Sequence, residues 1–190
     1  CYKDVKDTSI VAQFKVERNE KSEFLFSKYE DVTVYILEWT TTPWTLPSNT
    51  ALTIGSNIQY VGIRTKNVYT DQDQVVILAK DRYSVYFEKP VDMANIDLKS
   101  PKILKPKSGK PYDFGQLDIA IKGSELVGIR YEQLMPYLQP FYDADKAFQV
   151  VAGDFVTTED GTGVVHTSPT FGADDFRVAK QNGIGSLTLV

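Results

Sequence analysis

One cysteine and one histidine among 190 residues leave no basis for an internal disulfide or for a zinc centre built on those side chains. Cys1 alone fits a reducing compartment, and the cytoplasm is the expected location. No apolar run approaches the ~20 residues that a membrane-spanning helix needs, and no secretory leader pattern opens the chain. Positive charge is also short: 21 Lys and Arg stand against 25 Asp and Glu, a net charge of −4. That sign argues against gripping a phosphate backbone by bulk attraction, so any nucleic acid is expected to be held locally or by other domains. The one basic stretch is Lys99, Lys102, Lys105, Lys107 and Lys110, interleaved with Pro101, Pro106 and Pro111. It reads first as a solvated extended loop and second as a phosphate-tracking arm. A Gly-x-x-x-x-Gly-Lys-Ser/Thr loop and a dinucleotide fingerprint are both missing.

What the chain does contain is alternation. With 42% hydrophobic residues, it is long enough for one sizeable core, and residues 1–190 are expected to form a single domain. The opening Cys1-Tyr2-Lys3, without an initiator methionine, reads as part of a larger polypeptide. Ile10, Ala12, Phe14 and Val16 share one face of a period-two pattern, and Val32, Val34, Ile36 and Glu38 oppose Thr33, Tyr35, Leu37 and Trp39 in another. Further strands are expected at Ile58–Arg64, Val75–Ala79, Leu117–Ile121, Phe148–Val151 and Val164–Val165, broken by turn signals such as Gly55-Ser56-Asn57 and Asp160-Gly161. Helices are expected over Asp81–Lys89, Ser124–Met135 and Ala173–Asn182, the last with Gly183 as its stop. The fold class is mainly β with peripheral helices, a barrel or sandwich.

Two polar segments stand out. Trp39-Thr40-Thr41-Thr42-Pro43-Trp44-Thr45-Leu46-Pro47-Ser48-Asn49 follows directly on a strand pattern, and its prolines suit a turn rather than a ladder interior. Its hydroxyls are thus presented at a strand end. Gly161-Thr162-Gly163-Val164-Val165-His166-Thr167-Ser168-Pro169 repeats the device near the other end, carries the single histidine, and is followed by Asp174-Asp175.

These two segments resemble the threonine-rich motif and the Gly-Thr-Gly…His…Asp-Asp motif of the editing domain of isoleucyl-tRNA synthetases, which is inserted into the nucleotide-binding core of that class I enzyme. Valyl and leucyl relatives carry Thr-Thr-Arg-Pro where Thr-Thr-Thr-Pro-Trp stands here. The likeness is close over about residues 32–64 and 150–183 and loose between them. It implies a distorted closed β-barrel with both motifs facing one pocket. It further implies hydrolysis of the ester of valyl-tRNA(Ile), with the tRNA 3′ acceptor end, and possible valyl-adenylate, as partners beside the remaining domains of the synthetase. No cofactor or metal is expected in this domain; ATP and Mg belong to the parent enzyme, whose His-Ile-Gly-His and Lys-Met-Ser-Lys-Ser type motifs are missing from this chain. Members with His-Gly before the aspartate pair differ from Phe171-Gly172 here, so a second histidine has no carrier. The same fold serving a valyl or leucyl enzyme, and a non-catalytic module that binds an acceptor end, are the rival readings.

The chemistry asks for a water, an anchor for the α-ammonium, donors for the oxyanion, and a wall. Asp175 is the candidate anchor, because charge-assisted hydrogen bonds are the strong ones; capping of the helix at Ala173 is its alternative, and more so for Asp174. Thr41 and Thr42, nearest Pro43, are the first candidates to orient the water. Thr40, Thr45 and Asn49 are candidates for ester or ribose oxygens, against a purely local role in strand and turn. His166 can act as base, donor or wall; no neighbouring acid supports a hydrolase triad, and the resemblance implies the discriminating role. Trp39 and Trp44 can stack on a terminal base, with core packing the competing role for Trp39.

Overall fold

A computed structural model describes residues 8–26, 32–67, 69–87 and 116–188. The lysine-rich stretch of residues 99–110 lies outside them. Among the described residues, eight strands fall into two sheets. The larger runs β1-β2-β5-β4-β6, formed by β1 (Ile10–Lys15), β2 (Thr33–Thr40), β5 (Asp73–Ala79), β4 (Gln59–Lys66) and β6 (Gln116–Lys122). Only the β2–β5 pair in it is parallel. The smaller sheet runs β7-β3-β8, from β7 (Gln149–Ala152), β3 (Ala51–Ile54) and β8 (Val164–Thr167).

Alternation places the core. On β2, Val34 and Ile36 point inward with Phe14 of β1, and meet Leu52, Ile54, Val150 and Val164 from the smaller sheet. Tyr131 joins this core edge-on to Phe14, ring centroids 5.2 Å apart. The short α1 (Glu23–Phe26) adds Leu25 and Phe26 to this core. The other face of the large sheet is not solvated either: Leu37, Val61, Ile63, Val76 and Leu78 lie under Tyr83, Tyr86 and Phe87 around the short α2 (Tyr83–Tyr86). A sheet covered on both faces explains why β5 is buried from Gln74 to Ala79.

The mainly-β class with few helices is therefore as expected, but the described ladders form two sheets and not one closed barrel. Single bridges, Val16↔Tyr131 and Arg130↔Gln149, link them on one side, and the Ala79 N–H donates to the Thr162 carbonyl on the other at 2.8 Å. Three local expectations also need correction. The helix expected over Asp81–Lys89 is a 3-10 turn at Lys80–Arg82 followed by one turn of α2, closed at Phe87 in extended backbone. The helix expected over Ser124–Met135 stops after α3 (Gly123–Leu126), since Val127 is extended and Gly128 takes φ +80°. Strand β3 was not anticipated: it is four residues long and buried on both faces, so it carries no alternation. The helix α4 (Ala173–Asn182) forms as expected, and Gly183 at φ 65° ends it by donating back to Ala179 and Lys180.

Gly163 shows why the second motif needs glycine. Its φ is +74°, and a Cβ there would lie 2.4 Å from the Ala79 Cβ, in the seam between the sheets. Gly163→Ala is expected to cost about 2–4 kcal/mol, combining left-handed strain with overpacking, read as a lowered urea midpoint. An unchanged midpoint would mean the seam is looser than this geometry.

Candidate functional site

Strand β2 ends at Thr40, and the chain turns at once into a 3-10 helix, Pro43–Ser48, with Pro43 at its first position where no N–H is needed. That turn folds the threonines onto one another. Thr42 N–H donates to Thr40 Oγ1 at 3.0 Å, the Thr40 and Thr42 hydroxyls are 3.2 Å apart, and Thr45 Oγ1 donates to the Thr42 carbonyl at 2.8 Å. Thr45 then reaches across 121 residues of sequence: its Oγ1 is 3.1 Å from His166 Nε2. The two motifs are in direct contact.

A hydroxyl has one proton. With that of Thr45 given to the Thr42 carbonyl, the His166 contact requires Nε2 to be the donor, which assigns the Nε2–H tautomer from the network. Burial pushes the His166 pKa down to about 4, so the ring is neutral at pH 7. Its Nδ1 is buried without a partner. Such a ring is a fixed donor and a wall more than a base.

Asp174 and Asp175 part company in the first turn of α4. Asp174 is exposed and paired with Arg177 at 3.1 Å, which also holds Asp154 at 2.8 Å. Asp175 is half-buried, accepts the Ser168 N–H, and makes no ion pair among the described residues. Its pKa is raised, chiefly by burial, against that hydrogen bond and with a further rise from Asp174. Neither carboxylate caps the helix, whose N-cap is Gly172 without a side-chain bond. A Cβ on Gly172 would stand 2.8 Å from Asp175 Oδ2, so glycine lets this carboxylate fold back towards Ser168.

The remaining candidates are spread more widely. Thr41 and Trp44 are exposed, Trp44 at 55%. Asn49 is 3% exposed and engaged inside, accepting from the Tyr131 hydroxyl at 2.7 Å and donating to the Ala51 carbonyl at 2.8 Å. Trp39 lies on the face of β2 opposite Thr40, against Gly161, and lines an outer hollow of about 300 Å³ with Val11, Arg82 and Tyr86. The structure thus brings Thr40, Thr42, Thr45 and His166 together, sets Asp175 two residues' reach from His166 through Ser168, and places Trp39 and Asn49 in packing. Among the described residues no cluster of three or more His, Cys, Asp or Glu is arranged to hold a metal, and no helix is long and apolar enough to cross a membrane.

Sequence reasoning missed Glu38 as part of this site. It is 1% exposed, its carboxyl accepts the backbone N–H of His166, and burial raises its pKa to about 8. The available signal was an acid in phase with Val34 and Ile36 on an apolar face.

Known proteins share both the sequence and the fold of this chain. No protein-family model matches the chain. The isoleucine–tRNA ligase of Cytophaga hutchinsonii is 53% identical over 188 residues, 98% of this chain and 15% of that protein. That of Bacteroides fragilis is 48% identical over 191 residues, again 15% of its length. Nearly the whole chain is thus similar to a segment of isoleucine–tRNA ligases. It spans about 15% of the length of these curated relatives. The editing domain of the P. knowlesi cytosolic leucyl-tRNA synthetase superposes with a TM-score of 0.61 at 12% identity, covering 91% of this chain and 62% of that one. The chain therefore has the fold of that editing domain.

Burial makes stability pH-dependent. Glu38 folds with a pKa of about 8 against an ordinary 4.5, so the folded state keeps a proton that the unfolded chain has lost, and stability falls as pH rises between those values. His166, about 4 against 6.5, acts oppositely, but only a few tenths of a kcal/mol of its effect remains above pH 6.5. Between pH 6.5 and 8 the expected net loss is about 1 kcal/mol, absent in Glu38→Gln. Equal urea midpoints for wild type at the two pH values would refute the buried acid.

Proposed function

We propose that this segment proofreads for an isoleucine–tRNA ligase by hydrolysing the aminoacyl ester of valyl-tRNA(Ile) after transfer. The observation that carries the reading is the 3.1 Å contact between Thr45 and His166, which assembles both motifs into one polar cluster. Valine and isoleucine differ by one methylene, worth only ~1–3 kcal/mol to a binding pocket, so a second, hydrolytic site is the physical remedy.

Asp175 receives the α-ammonium. A half-buried carboxylate with no cation of its own gains most from an incoming one, and Asp174 is already spent on Arg177. Thr41 and Thr42, exposed at the strand exit, orient the water and the ester oxygens as donors and acceptors that need no deprotonation. His166, neutral and held by its Nε2–H on Thr45, forms the wall that excludes the longer side chain. Thr40 and Thr45 set the geometry of that cluster from below, and Asn49 fixes the turn through Tyr131 and Ala51. Trp44 offers an exposed indole for the terminal base. Trp39, on the far face of β2, supports the strand.

The tRNA(Ile) 3′ end carrying valine is the proposed partner, with valyl-adenylate a second substrate and the other domains of the ligase holding the tRNA body. The domain itself works without a cofactor, ATP and Mg serving the ligase elsewhere, in the cytoplasm. A distorted closed barrel is part of the same reading, supported by the likeness to the leucyl editing-domain fold.

In the full-length ligase, valyl-tRNA(Ile) is expected to be deacylated and isoleucyl-tRNA(Ile) spared. Asp175→Ala should lower kcat/KM for the valyl ester about 100-fold, roughly 2.7 kcal/mol, while Asp174→Ala changes it less than threefold. His166→Ala should release isoleucyl esters to hydrolysis. A chain that binds the acceptor end and leaves both esters intact is a binding module, and preferential attack on leucyl-type esters points to the sister enzymes.

A further inference from the structure

Strand β8, which carries His166, is an edge of the smaller sheet and among the described residues pairs with β3 alone. Its start needs a second hold, and the turn that leads into it finds one in the larger sheet. Four carbonyls of that lead-in accept hydrogen bonds from there. Thr162 accepts from the Ala79 N–H at 2.8 Å and Gly163 from the Tyr60 hydroxyl at 2.6 Å. Gly161 and Glu159 accept from Nε and Nη1 of Arg82, each at 2.8 Å. On its other side the turn rests on Trp39, whose ring is 3.2 Å from where a Gly161 Cβ would stand.

Ala79 and Tyr60 are strand residues, buried with the sheet. Arg82 is different. It ends the 3-10 turn after β5, outside both motifs, and its long side chain gives up rotamer freedom to reach carbonyls 77 and 79 residues on. Two carbonyls side by side suit the parallel N–H groups of a planar guanidinium, a fork that a lysine ammonium with all its donors on one nitrogen does not reproduce. Bonds from a charged donor are also the stronger kind. Beyond the clamped turn β8 runs directly to His166, whose Nε2 is 3.1 Å from Thr45 of the first motif, so a displaced turn is carried along the strand to that contact.

We propose that Arg82 is a positioning residue for the site: by clamping the Glu159 and Gly161 carbonyls it sets where β8 begins on the larger sheet, and with it where His166 stands against Thr45. It touches no substrate and acts through the wall that His166 forms. The selectivity part of this inference rests on the proofreading reading; the hold on β8 does not.

An arginine that only stabilised the fold would, when removed, lower the folded fraction, scaling the rates on both esters by one factor and leaving their ratio alone. In the full-length ligase, Arg82→Ala should instead shrink the valyl-over-isoleucyl ratio of kcat/KM about 10-fold, and Arg82→Lys, which keeps the charge, nearly as much. The hollow of about 300 Å³ that Arg82 lines with Trp39 admits a small cation to the space the truncated side chain leaves. Ethylguanidinium, far below denaturing concentrations, should therefore restore the ratio in the Ala variant and not in the Lys variant. An unchanged ratio in Arg82→Ala, or a Lys variant like the wild type, overturns the selectivity part. Hydrogen exchange of residues 159–168, read by mass, needs no activity: it should quicken about 10-fold in Arg82→Ala and slow again with ethylguanidinium. Exchange at the wild-type rate overturns the hold on β8, and if the Ala variant does not fold the Lys variant carries both measurements. Should the ligase leave valyl esters intact while exchange responds as expected, the proofreading reading fails and the clamp on β8 stands.

Discussion

The proton on one threonine hydroxyl orders this site. Thr45 Oγ1 gives it to the Thr42 carbonyl, inside the same short turn, and is left with lone pairs only for the neighbour from the other sheet. His166 must then be the donor. A local feature of the first motif, a 3-10 turn started by Pro43, thereby fixes the chemical state of a ring 121 residues away. The dependence runs through packing too, because β2 and β8 meet only if Gly163 lets the strand approach Ala79.

Burial then sorts the ionisable groups by role. Desolvation keeps His166 neutral and favours the acid form of Glu38, so two groups that would usually be charged on either side of pH 7 are both uncharged. Asp175 sits in between, half-buried and held by the Ser168 N–H, and it is the group of the three that an arriving cation can reach and pair with. On the proofreading reading, such a site reserves that carboxylate for the substrate, and rigid hydroxyls do the rest without reorganising when charge develops on the ester oxygen.

Much of this was legible in residues, and the exceptions are instructive. Period two placed β1 and β2, whose alternate residues differ in polarity, and runs of β-branched and apolar residues bounded by turn signals placed β4 and β5. Ala51–Ile54 escaped because the middle strand of a small sheet is buried on both sides and alternates nothing. The stop of α3 at Val127 depended on Arg130 and Tyr131 bridging to Gln149 and Val16, pairings that no local window contains. At the site, the motifs named Thr40, Thr42, Thr45, His166 and Asp175, but spacing could not tell which of Asp174 and Asp175 was free. Arg177 decides that, three residues on and turned towards Asp154. Asn49 and Trp39 carried the same polar and aromatic signal as their neighbours, yet Tyr131 and Gly161 absorb them into packing.

The acidic balance of the chain follows from the same division of labour. A net charge of −4 repels a phosphate backbone at long range. On the proofreading reading this is no handicap. Only the last nucleotides need enter, and their recognition rests on a carboxylate for the ammonium, hydroxyls for the ester and an indole for a base, none of which requires positive charge. The affinity that phosphates supply is strong, salt-dependent and blind to the amino acid carried. A domain whose task is to discriminate between two side chains gains nothing from that kind of grip, since equal attraction for both esters cancels from their ratio. Discrimination comes from what differs between them at His166, and it is sharpest where the ring cannot move. The seam of β2 and β8, with Thr45 on one edge of that ring and Glu38 bonded to its peptide, supplies that immobility.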